Sequence, residues 1–251
     1  MSCYCERALN PDLWAEPINA ATNLAFVIAA LFAYTDLRAT GPQRGTLSQR
    51  GSLSQRGTRE IIVLICLLMA VGAGSFLFHT FATGWARLAD VTPISVFMIV
   101  YIVIALRRLL GVNLLSALAV AGLVVGVSVS MFLCGGLLPA GLCTILNTSF
   151  SGSFAYVQAL IALMVVGVIL HLRKHRATDW VLSALCVFFV SLIFRTLDGW
   201  PNGQAIGCMV REMGEQTIHI GTHSIWHILN AVTLYLLLRA LIENPPGSKA
   251  A

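Results

Sequence analysis

The chain has 251 residues, of which 57% are hydrophobic and only 11% charged, and its mean hydropathy is +0.82. Soluble domains carry charge on about a quarter of their residues, so this composition excludes an ordinary soluble enzyme and points to an integral membrane protein. The net charge of +5 is distributed along the chain as loop charges, a pattern that sets membrane orientation and does not call for a nucleic-acid partner.

The N-terminus, MSCYCERALNPDLWAEPINA, is polar and partly acidic. It lacks the basic start and short apolar core of a secretory signal, which predicts a first span that inserts uncleaved. Apolar runs follow at Ile18 to Leu37, Glu60 to Thr80, Val91 to Leu106, Val112 to Cys134, Phe154 to Leu172, Trp180 to Leu197 and Ile218 to Leu241. The expected fold is therefore an all-α membrane protein: one domain over residues 1–251, built as a seven-transmembrane helix bundle. Basic residues cluster after the first, third, fifth and seventh runs: Arg38 to Arg59, Arg107 and Arg108, Arg173 to Arg176, then Arg239 and Lys249. Only Arg7, Arg87, Arg195 and Arg211 fall on the other side, which predicts an outside N-terminus and a cytoplasmic C-terminus.

Residues 39–59 contain the six-residue repeat QRGTLSQRGSLSQRGT, with Gln43, Gln49 and Gln55 in register. Such a polar Gly/Ser/Arg segment cannot bury enough apolar surface to fold alone, and it reads as a flexible cytoplasmic loop. Residues 243–251 read as a C-terminal tail. Cys66 and Cys186 lie inside runs and are expected in the core. Cys3, Cys5, Cys143 and Cys208 fall on the outer side with Cys134 at its edge, where disulfides are permitted but their pairing is left open.

Ionisable groups inside apolar runs are expensive and mark candidate sites. Ser75 and His79 are four apart and share one helix face. Asp90 opens the third run at the same outer level, and His223 and His227, again four apart, stand in the first turns of the seventh. Two imidazoles at this spacing aim at one point, and a third from a neighbouring helix completes a three-histidine set that suits zinc with its fourth position open. A nearby carboxylate can then activate water. His171 and His175 share the spacing but lie among bases that repel a cation, so they read as headgroup contacts. His219 is a spare ligand or a loop residue.

GAGSFLFHTFATGWARLADVTPI, the later HSIWH, and the N-terminal YCER and EPINAATNLAF together resemble the alkaline ceramidases in their bacterial form. That family lies within a superfamily of seven-span zinc hydrolases that also includes adiponectin-receptor-like proteins. The resemblance implies zinc on His79, His223 and His227, with Ser75 and Asp90 around the bound water. The implied reaction is hydrolysis of the amide of a membrane lipid substrate, ceramide or a related N-acyl lipid, to a sphingoid base and a fatty acid. A non-enzymatic, receptor-like lipid sensor is the alternative. The bacterial-type motif favours a bacterial cytoplasmic membrane, with the endoplasmic reticulum or Golgi for a eukaryotic member. Animal members also carry a calcium site; Glu6 and Glu16 match two of its acids, while Cys3 and Ala8 stand where an acid and an asparagine are expected. The resemblance further implies a disulfide between Cys5 and Cys208.

Overall fold

The computed structural model describes residues 4–7, 10, 12–40, 55–132, 153–198, 207–213 and 216–244. Most of the 39–59 loop, Cys3, Cys134, Cys143 and the tail beyond residue 244 lie outside them. In chain order the helices are α1 (Pro17–Thr22), α2 (Leu24–Thr40), α3 (Gln55–Phe81), α4 (Gly84–Leu109), α5 (Leu114–Phe132), α6 (Val157–Leu172), α7 (Thr178–Asp198) and α8 (His223–Ile242). A 3₁₀ turn at Ser153–Tyr156 leads into α6, and strands β1 (Met209–Met213) and β2 (Gln216–Ile220) pair antiparallel just before α8.

Five segments are long and apolar enough to cross a membrane: Pro17–Thr40, Gly57–Phe81, Gly84–Leu109, Thr178–Asp198 and His223–Ile242. Two shorter apolar helices, at Leu114–Val127 and Val157–Leu172, accompany them. Leu115 and Leu172 are 80% and 75% exposed, as side chains facing lipid tails are, and with these helices they make the chain an all-α integral membrane protein. Helix α8 packs against α2 and α7, and α3 packs between α2 and α4. Ala29, Ala30 and Ala33 of α2 are buried at this junction with Leu64, Leu68 and Leu238, small residues that let helices approach where no aqueous hydrophobic effect draws them together.

Two features set the height of α4 against α3. Helix α3 ends at Phe81 and the chain reverses through Ala82, whose φ of +49° is left-handed, before α4 starts at Gly84. Deeper in, Gly74 meets the backbone of α4 so closely that a Cβ there would stand 2.0 Å from the Ala89 carbonyl oxygen. Pro93 lies four residues after Ala89 inside α4 and has no N–H to donate to that carbonyl. The carbonyl freed by proline therefore lies over the residue with no side chain, and Asp90 is brought beside Ser75.

Helices α3, α4 and α7 extend beyond their apolar runs, while α5, α6 and α8 begin inside theirs. Residues 55–59, expected in the flexible loop, form the first turn of α3, because a helix stops where its backbone is interrupted and not where hydropathy falls. Asp90 lies in the second turn of α4 and does not open it. Ile218 belongs to β2, as does His219, which pairs with Val210 across the hairpin; the seventh helix starts only at His223. Cys66 and Cys186 are exposed on the bundle surface, since in a membrane the surface is itself apolar and a small hydrophobic thiol has no need of the core.

Candidate metal centre

His79 stands in the last turn of α3, and His223 and His227 occupy the first two turns of α8. All three are buried, and their candidate ligand atoms lie within 4.8 Å of one another. Ring centroids are 4.8 Å apart for His79 and His227 and 4.7 Å for His223 and His227. The sequence expectation that distant parts of the chain bring three imidazoles to one point is met by this geometry.

Hydrogen bonds decide which nitrogens are free. His79 Nδ1 lies 2.5 Å from Glu16 Oε2, so its Nε2 faces the other rings. His227 Nδ1 meets Thr22 Oγ1 at 3.0 Å. The Thr22 hydroxyl donates to the Ile18 and Asn19 carbonyls, so it accepts from the ring and leaves His227 Nε2 bare. His227 Nε2 and His223 Nδ1 are both buried with no hydrogen-bond partner. A buried polar atom left unpaired costs about 1–3 kcal/mol, and a cluster of bare imidazole nitrogens is what a divalent metal requires. The residues fit such an ion.

The N-terminal segment holds these ligands in place. Burial alone would raise the Glu16 carboxyl, but His79, Arg7 and Asn19 hold it below its usual range. It is therefore ionised and acceptor-only toward His79, the carboxylate–histidine pairing that fixes a metal ligand's tautomer. Arg7 Nε lies 2.5 Å from Glu16 Oε1, while Arg7 Nη2 donates to the His79 carbonyl at 3.2 Å, one of the acceptors left open where α3 ends. The Glu6 carboxylate accepts the N–H groups of Ile18 and Asn19 at 2.6 and 2.8 Å, capping α1. The carboxylates of Glu6 and Glu16, the two acids matched to a calcium site, thus both accept hydrogen bonds from the protein.

Asp198, at the end of α7, bridges the two chain ends of the site: one oxygen accepts the His223 N–H at 3.0 Å and the other the Cys5 N–H at 3.2 Å. Cys5 is disulfide-bonded to Cys208, the pairing implied by resemblance. Gly221 permits this junction, for a Cβ there would stand 2.0 Å from Asp198 Oδ1. The His223 ring lies between Tyr4 and Trp226, with centroids 4.0 and 5.0 Å away.

Ser75 is one turn before His79 and 1% exposed. Asp90 faces Ser75 and lies within electrostatic reach of His79 and Arg195. Ser75 Oγ and Asp90 Oδ1 are both buried without a hydrogen-bond partner of ordinary geometry. The structure thus gathers Ser75, His79, Asp90, His223 and His227 at one place, with Glu16 on the rear of His79 and Glu6 set back at the start of α1. Sequence reasoning missed Arg7, Asn19, Asp198 and Tyr4. Asn19 and Asp198 are polar residues at the outer ends of apolar spans, and Tyr4, Arg7 and Asn19 belong to the YCER and EPINAATNLAF stretches that carry the resemblance, without a role assigned there.

No curated protein matches the chain. A family model described as Ceramidase matches residues 4–243, a stretch that takes in the N-terminal clamp as well as every residue of the histidine cluster. The chain therefore belongs to the ceramidase family.

Proposed function

We propose that this protein is a zinc-dependent intramembrane amidase that hydrolyses ceramide, or a related N-acyl lipid, to a sphingoid base and a fatty acid. Membership of the ceramidase family supports amide hydrolysis on a ceramide substrate. The observation that carries the zinc assignment is the pair of buried, unpartnered nitrogens on His223 and His227 facing His79. Three neutral imidazoles with an open fourth position suit a catalytic zinc.

His79 through Nε2, with His223 and His227, would hold the ion; when bound it polarises the acyl carbonyl and lowers the pKa of water to about 7. Asp90 takes the proton as water oxygen bonds to the acyl carbon, then gives it to the nitrogen as the C–N bond breaks. Ser75, on the same helix face as His79, donates its hydroxyl to the carbonyl oxygen as that oxygen gains negative charge. Glu16 holds His79 in register throughout. The apolar outer faces of the helices suit a substrate that enters from lipid with both tails.

The five long spans and two shorter apolar helices support the seven-span reading. Arg38, Arg107, Arg108, Arg173 and Arg239 all lie at or just beyond the C-terminal ends of α2, α4, α6 and α8, which supports a cytoplasmic C-terminus and an N-terminus outside. The proposed location is a bacterial cytoplasmic membrane, with the site at its outer level.

Metal analysis and lipid assays test the proposal. Purified protein is expected to hold about one zinc per chain, and chelation to stop hydrolysis of N-acylsphingosine until zinc is restored. His79→Ala should lose both metal and activity. Undiminished hydrolysis by the metal-free protein, or an intact lipid after incubation with the zinc-loaded protein, would overturn it.

A further inference from the structure

Two hydrogen-bond donors beside the histidine cluster have no acceptor. Arg195 stands in the last turn of α7, inside an apolar span, with its guanidinium carbon 5.1 Å from the ring centroids of both Trp226 and Tyr156. Its Nη1 reaches the Tyr4 hydroxyl only at 3.5 Å, and its Nε is buried with no partner. Trp226, between the two histidines of α8, is 3% exposed, and its indole Nε1 is likewise buried and unpartnered.

A guanidinium in a membrane span is costly and is kept where a partner exists for it. Among the described residues no carboxylate forms a salt bridge with Arg195; Asp90 lies within electrostatic reach of it but faces Ser75. Two aromatic rings hold the guanidinium by cation–π contact, which leaves the buried Nε–H in need of an acceptor. A planar edge of charged donors matches a carboxylate, and a second donor on the indole adds to the match.

On the amidase reading, a carboxylate is what the reaction produces beside these groups: the acyl carbon enters as an uncharged amide and leaves as a fatty acid. We propose that Arg195, with the Trp226 indole N–H, forms a subsite for the fatty-acid carboxylate, so that the site holds the anionic product more tightly than an uncharged lipid of the same chain. Free fatty acid then acts as a competitive product inhibitor, and Arg195 sets how readily it leaves.

The test is a binding measurement on the full chain in detergent, comparing palmitate with hexadecanol by titration calorimetry. Wild type is expected to prefer the acid by about tenfold or more, the scale of a charge-assisted hydrogen bond. Arg195→Gln should cut the preference severalfold, Arg195→Lys should keep more of it, and Trp226→Phe should weaken acid binding severalfold while hexadecanol binding stays as in wild type. Equal affinity of wild type for acid and alcohol, or an acid preference undiminished in Arg195→Gln, would overturn the subsite. Should Arg195→Gln fail to run as a single species on gel filtration, Arg195→Lys and Trp226→Phe decide the matter by the same criterion. Because no turnover is read, failure of the amidase reading would show separately, as N-acylsphingosine left intact by the zinc-loaded protein.

Discussion

Helix α8 carries two polar clusters about 18 Å apart along its axis, from His227 to Arg239, and they differ in how their hydrogen bonds end. At the inner cluster, Asp36 Oδ2 accepts the Tyr235 hydroxyl at 2.8 Å and Arg239 Nη1 at 3.1 Å. Arg239 Nε also reaches Glu243 Oε1 at 3.1 Å, and the other Glu243 oxygen accepts the Trp180 indole N–H at 2.9 Å. The bonds close on one another. At the outer cluster His223 Nδ1, His227 Nε2, Arg195 Nε and Trp226 Nε1 are buried without partners, and Ser75 and Asp90 face each other without a hydrogen bond of ordinary geometry. Charge inside an apolar bundle is thus no sufficient mark of a site; what marks the outer cluster is the gathering of several unmet donors and acceptors around three buried imidazoles.

If that distinction holds, removing an unmet group should cost chemistry without costing structure. Asp90→Asn keeps the size of the side chain and removes the base, so hydrolysis should fall by about 10²–10⁴-fold while zinc content is retained. A loss below about tenfold would place Asp90 with the structural groups and break the comparison. Glu16 sharpens it from the other side, since its oxygens are fully met by Arg7, His79 and Asn19, yet it touches a metal ligand. Glu16→Gln is expected to weaken metal binding by about 10–100-fold, as loss of a carboxylate behind a ligating histidine does; competition against a zinc chelator measures it. Unchanged zinc affinity would make Glu16 a partner of Arg7 alone.

The five residues proposed for the chemistry were legible in the sequence because each is a local anomaly. A four-residue spacing puts Ser75 with His79 and His223 with His227 on shared faces, and Asp90 is an acid at the edge of an apolar run. What holds them in place was not legible, because it is made of contacts between distant segments: Glu16 meets His79 63 residues away, and Asp198 meets Cys5 across 193. Arg7 stands in the sequence as an outer charge within YCER, and only the fold places it against Glu16 and the end of α3. Gly74 and Pro93 look unremarkable singly, and their meaning appears only where the Ala89 carbonyl crosses between helices. The hairpin at 209–220 was hidden for another reason: Ile218 and Ile220 continue the hydropathy of the last span, and a helix and a short strand are equally apolar there.

The inner cluster supplies the smallest expected effect. Asp36→Asn leaves an oxygen for the Tyr235 hydroxyl and removes only the charge facing Arg239. The side chains of Asp36 and Arg239 are 28% and 23% exposed, so solvent already screens the pair, and Arg239 keeps Glu243 as a partner. The loss is expected at about 0.2–1 kcal/mol, read as a slight fall in the thermal unfolding midpoint. Hydrolysis and zinc content should stay within roughly twofold of wild type, since a weak surface-type pair has little to transmit over this distance. A hundredfold fall in hydrolysis with zinc intact would mean that closing bonds at one end of α8 sets the geometry at the other. The helix would then act as a single rigid lever, and satisfied hydrogen bonds would no longer mark a region as separate from the chemistry.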